Sequence, residues 1–104
     1  MRFFNLFKPK RSMDDEIQEY LDNGAIVIDV RTEAEYADGH VPGSTNIVLD
    51  TIPERVEEIK ALGKSFIAVC RSGARSGQAT EFLNEEGLDI INGGPWQIVD
   101  QFVD

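Results

Sequence analysis

The chain of 104 residues holds a single cysteine, a single histidine and a single tryptophan. One thiol cannot close an internal disulfide, so no disulfide scaffold supports the fold, which fits a reducing compartment and an expected location in the cytoplasm. With no CxxC and no His/Cys cluster, a thiolate zinc site is excluded; no metal is expected and no cofactor is implied. No apolar run approaches the roughly 20 residues needed to cross a bilayer, so no membrane span is expected. Internal repeats and low-complexity segments are absent. Positive charge is scarce: ten Lys and Arg stand against nineteen Asp and Glu, a net of −9. Four of the ten, Arg2, Lys8, Lys10 and Arg11, fall in the first eleven positions. The remainder therefore sets six basic against nineteen acidic residues, a net of −13. A body of that charge repels phosphate backbones, so no nucleic-acid partner is expected.

Residues 1–11 form an aromatic and basic N-terminal arm, and residues 12–104 read as one domain. The arm's apolar part, about five residues, is shorter than a signal-peptide core. It is expected to lay its phenylalanines against the domain; a surface anchor for a membrane or a partner is the alternative.

Ser12, three residues before Asp15, opens a helix with a capping signal, and Met13, Ile17, Tyr20 and Leu21 recur at helical spacing up to Gly24. Residues 25–30 are an unbroken apolar run ending in Asp29-Val30, the pattern of a strand covered on both faces. Residues 33–37 make a short helical turn, 38–43 a loop and 45–48 a second strand. Pro53 fits the first turn of a helix carrying Val56, Ile59 and Leu62 inward to Gly63. Residues 65–69 are a third strand; a helix over 76–86 buries Ala79, Phe82 and Leu83 and stops at Gly87; residues 88–91 are a fourth strand. Pro95 opens a last helix with Trp96, Ile98, Val99 and Phe102. Strands and helices alternate throughout, which predicts an α/β fold: an open parallel sheet of about four to five strands with helices on both faces. Ligands of such sheets bind outside the carboxyl ends of the strands. Cys70 stands at one such end, and Asp29 and Arg31 at another.

The stretch Cys70-Arg71-Ser72-Gly73-Ala74-Arg75-Ser76 carries the chemistry. A thiol ending a buried strand and facing a helix start sits among backbone N–H groups, in a field that favours thiolate. Gly73 can take a positive φ and curl those groups inward into an anion-binding concavity. A cysteine at a strand end is often merely buried, but a core cysteine has no need of Gly73, Arg75 and Ser76 after it. Arg71 reads as an entrance cation or as plain surface charge, Arg75 as structural rather than substrate-binding. His40 fixes its Gly-His-Val-Pro-Gly turn more readily than it moves protons. An aspartate ending an apolar strand needs a partner, which makes Asp29 and Arg31 a structural ion pair. Trp96 is read as core.

Three blocks together resemble a rhodanese-homology domain of the single-domain sulfurtransferase kind. They are Asp29-Val30-Arg31 with Glu35-Tyr36 and residues 39–47, the loop from Cys70 to Ser76, and Asn92-Gly93-Gly94. The resemblance implies a rhodanese-type sulfurtransferase. Cys70 would take a sulfane sulfur from a small donor, thiosulfate or a persulfide, hold it as a persulfide, and pass it to a thiol or cyanide. A thiol protein is a further candidate acceptor. The persulfide sulfur would sit among the N–H groups of Arg71, Ser72, Gly73, Ala74, Arg75 and Ser76, where preorganised dipoles replace a histidine base. By the family pattern Arg75 turns inward to a carboxylate such as Asp29. Three positions depart from the pattern, the first two from that of the two-domain thiosulfate enzymes. Glu35 stands where an arginine precedes the aromatic, Ser72 replaces a lysine, and Ile98 takes the place of a tryptophan. The first two remove positive charge where thiosulfate would arrive.

Two other functions are open to the same residues. Cysteine-dependent phosphatases and arsenate reductases put five residues between cysteine and arginine, whereas four separate Cys70 from Arg75. A non-catalytic sulfur-carrier or regulatory binding module is the second.

Overall fold

The computed structural model describes residues 12–104; the arm expected over 1–11 lies outside the described residues. Helix α1 (Met13–Asp22) starts as the sequence predicts, with the Ser12 hydroxyl accepting the Asp15 N–H at 3.1 Å. Such a cap contributes about 1 kcal/mol. Ile17 is its one fully buried side chain, and Met13, expected on the inner face, is 47 % exposed. Gly24, at φ +85°, turns the chain into β1 (Ile26–Asp29). Helix α2 (Glu33–Ala37) follows, then β2, which pairs only over Thr45–Asn46 rather than 45–48.

Pro53 does not open the next α-helix. It lies inside a 3-10 helix, Leu49–Glu54, and α3 (Val56–Leu62) begins after it. Val56 and Ile59 of α3 are buried, whereas Leu62 faces water. Strand β3 (Ser65–Cys70) runs on through the cysteine. Helix α4 (Ala74–Glu85) begins two residues earlier than its apolar spacing indicates. Strand β4 (Asp89–Pro95) continues through Asn92-Gly93-Gly94, so Pro95 ends a strand, and α5 (Trp96–Asp100) follows.

The four strands form one parallel sheet in the order β2-β1-β3-β4. Alternation along β3 builds two core layers. Phe66, Ala68 and Cys70 pack with Ile52, Ile59, Ala79 and Leu83 on one face. Ile67 and Val69 pack with Ile17, Val41 and Val99 on the other. The helices thus cover both faces, as the unbroken apolar strands require. Ala68 pairs with Asn92 and Val69 with Gly94, which leaves Gly93 as an extra residue in β4. A side chain cannot fit there, because a Cβ at Gly93 would stand 2.6 Å from Ile67 Cγ2 and 2.8 Å from Val99 Cγ2. Among the described residues no helix is long and apolar enough to cross a membrane.

Candidate active site

The chain leaves β1 towards one sheet edge and β3 towards the other, so the crevice at their adjacent carboxyl ends is the switch point where ligands of such sheets bind. Asp29 and Val69 are in register there, and Cys70 is the next residue.

Cys70 is 0 % exposed, with its side chain directed towards the α4 layer. Its sulfur is nevertheless not enclosed by apolar atoms alone. The Gly73 N–H donates to Sγ at 3.0 Å, and the Ser76 hydroxyl lies 3.3 Å away. Gly73, at φ +100°, provides the turn that aims its N–H inward, a conformation strained for any residue with a Cβ. Because α4 starts at Ala74, its first-turn N–H groups, which have no partner within the helix, begin directly behind the thiol. Burial pushes the thiol pKa up. The Ser76 hydroxyl and the N–H groups of Ser76, Gly73 and Ser72 outweigh it, and the net effect lowers the pKa below its ordinary value. The outer residues of the turn, Arg71, Ser72 and Ala74, face solvent.

Asn92 is a member of this arrangement that sequence reasoning placed only in a glycine block. Its Nδ2 donates to the Gly73 carbonyl at 3.0 Å, and its Oδ1 accepts from the Ser76 hydroxyl at 2.7 Å and the Gly94 N–H at 2.9 Å. It ties the end of β4 to both sides of the loop. A polar residue interrupting an apolar strand just before two glycines was the available signal.

Arg75 does not pair with Asp29. Its guanidinium forms a two-pronged contact with Glu35, Nη1–Oε1 at 2.8 Å and Nη2–Oε2 at 3.0 Å. Asp29 is already occupied, since Arg31 binds it through Nε at 2.9 Å and Nη2 at 2.7 Å, with both side chains buried. The same guanidinium donates to the carbonyls of Glu35 and Gly39 and lies 5.1 Å from the Trp96 ring. The expected Asp29–Arg31 ion pair is thus present, and Trp96 borders it as well as the core.

Glu35 serves twice. It closes a capping box at the start of α2, accepting the Thr32 N–H at 3.0 Å, and it holds Arg75. Arg75 first, then the Thr32 N–H, keeps its carboxyl pKa at about 2. His40 lies off the site. Its ring stacks on Tyr36 at 3.7 Å, and Nδ1 donates to the Tyr36 carbonyl at 2.7 Å, so it fixes the turn. Among the described residues no group of three His, Cys, Asp or Glu could hold a metal.

Fold and loop together define a class: an open parallel α/β domain whose lone thiol sits in a backbone cradle at the switch point. The family model described as the rhodanese-like domain matches residues 13–98. This chain belongs to the rhodanese-like domain family. It is 35 % identical to YtwF of Bacillus subtilis over 71 residues, 68 % of each chain. It is 39 % identical to the thiosulfate sulfurtransferase PspE of Escherichia coli over 65 residues, 62 % of each chain. The human single-domain sulfurtransferase TSTD1 superposes with a TM-score of 0.65 at 25 % identity, over 80 % of this chain and 88 % of that one.

Proposed function

We propose that this protein is a sulfurtransferase that carries a sulfane sulfur on Cys70. The observation that supports this best is the set of donors converging on one sulfur, with the Gly73 N–H at 3.0 Å and the Ser76 hydroxyl at 3.3 Å. Donors so placed stabilise negative charge with no more movement than the turn of one hydroxyl proton, first on the thiolate and then on a persulfide. In the first step the Cys70 thiolate attacks the outer sulfur of the donor. A new S–S bond forms and the old one breaks, its electron pair leaving on sulfite when the donor is thiosulfate. In the second step a cyanide or thiolate acceptor attacks the terminal sulfur, and the electron pair of the Cys70 S–S bond returns to Sγ. No outside oxidant or reductant enters. Two-step transfer through a covalent intermediate is nucleophilic catalysis.

The phosphatase alternative draws no support from the loop. Arg75 is turned to Glu35 rather than towards the sulfur, so no guanidinium is set to hold a tetrahedral oxyanion there.

Intact-mass measurement after incubation with a sulfane donor tests the reading. The parent is expected to gain one sulfur atom at its sole thiol, lost again on adding cyanide, and Cys70→Ser to gain none. Transfer retained by the folded serine variant would overturn it, as would Cys70-dependent turnover of an aryl phosphate.

A further inference from the structure

The solvent-facing hollow beside the loop, about 210 Å³, is lined by Arg31, Glu35, Asp38, Arg71, Trp96 and Gln97. Arg75 and Asp29 stand behind it as the partners of Glu35 and Arg31. Its charges therefore balance, with Arg31, Arg71 and Arg75 against Asp29, Glu35 and Asp38. Two of the three cations are held in ion pairs. The balance turns on Glu35, which holds the Arg75 guanidinium in a two-pronged contact while still capping α2. Around this neutral mouth the rest of the domain from residue 12 carries three basic and sixteen acidic residues. A doubly charged donor gains nothing at such a mouth and is repelled by the body that surrounds it.

We infer that Glu35, by neutralising Arg75 behind the mouth, sets the donor charge this site accepts and favours singly over doubly charged sulfane donors. The inference rests on the sulfur-transfer reading and names its substrate class. Glu35 acts through Arg75 and touches no reacting atom, so its role is to position and balance charge.

The test compares two donors of the same chemistry that differ by one charge. Thiosulfate releases sulfite, and methanethiosulfonate releases methanesulfinate; in each case the outer sulfur passes to the thiolate and the electron pair leaves with the oxidised sulfur. Glu35→Gln keeps an acceptor for the Thr32 N–H, so the capping box survives. It is expected to raise the ratio of kcat/KM for thiosulfate over methanethiosulfonate about three- to fivefold, the scale of one exposed charge interaction. Arg75→Gln is expected to lower the ratio, and the double variant to return it towards the parent's. At about 1 M salt, where screening acts within roughly 3 Å, the gain should vanish. If the ratio stays constant while both donors slow together, Glu35 only props the loop and the inference fails.

Should neither donor load Cys70, the sulfur-transfer reading fails by itself, and the charge balance is still measurable on the thiol. The rate of alkylation by anionic iodoacetate relative to neutral iodoacetamide, at one pH, is independent of the thiolate fraction. Glu35→Gln should raise that ratio and Arg75→Gln lower it; an unchanged ratio in both overturns the inference.

Discussion

Replacing Ser76 by alanine removes one oxygen from the cradle and strands no partner. Ser76 is fully buried, and its single hydroxyl proton has two acceptors, Asn92 Oδ1 at 2.7 Å and Cys70 Sγ at 3.3 Å. One proton serves one of them at a time. Beside a neutral thiol the shorter bond to Asn92 prevails; beside a thiolate the charged sulfur draws the proton. Asn92 Oδ1 keeps the Gly94 N–H at 2.9 Å in either case. The cost of the substitution therefore falls on the thiolate. A hydrogen bond to a charged group contributes about 1.5–3 kcal/mol, and a diffuse sulfur acceptor belongs at the lower end. Below the midpoints of both proteins the thiolate population of Ser76→Ala is then about tenfold smaller. Each remaining thiolate is more basic and reacts about threefold faster, given a nucleophilicity slope of about 0.4–0.5. Iodoacetamide alkylation, followed by intact mass across pH, should run about threefold slower in the variant at low pH and about threefold faster above both midpoints. The two profiles must cross, because access through the loop is common to both proteins. A variant slower at every pH would mean that the hydroxyl governs access rather than charge, and the electrostatic account of the cradle would be wrong.

Gly93→Ala forces a Cβ to 2.6 Å from Ile67 Cγ2 and 2.8 Å from Val99 Cγ2. Overpacking of this kind costs about 1–3 kcal/mol, and a urea midpoint equal to the parent's would refute the packing at the bulge. Arg31→Ala leaves the fully buried Asp29 carboxylate without its counter-charge, a loss of about 3–5 kcal/mol in urea denaturation. A loss below about 1 kcal/mol would show that water or another donor takes over. Glu35 has its folded pKa depressed to about 2 from 4.5. Its stabilising contribution is therefore complete above pH 4.5 and is lost as pH falls towards 2. The stability difference between the parent and Glu35→Gln should shrink through that window on acid titration; a difference constant from pH 6 to 2 contradicts the pairing.

The elements were legible where a local signal carried them. Ser12 beside Asp15, the unbroken apolar runs that became β1 and β3, and the five residues of α2 all stand where periodicity and capping put them. The errors have physical causes. Helix α4 begins before its apolar spacing does, because its first residues face the loop and not the core. Strand β4 runs on through two glycines, Gly93 as a bulge and Gly94 paired with Val69 of β3, against their weak intrinsic preference for strand. Leu62 falls on the inner face by spacing, yet the short α3 ends with that residue in water.

Read without coordinates, the chain already determined its alternation of strands and helices and the order of its three motif blocks. It also put the sole thiol at a strand end before a glycine turn. These follow from contacts between residues close in the chain, which leave a periodic trace. Which carboxylate holds Arg75 was decided only by tertiary structure, because Glu35 lies forty positions away, whereas the pairing of Asp29 with Arg31, two positions on, was legible in the chain. Tertiary structure also decided the role of Asn92, whose side chain meets Gly73 and Ser76 only after β4 has docked beside β3. Pairings across a sheet depend on strand order and register, and neither leaves a signature in the local pattern of residues.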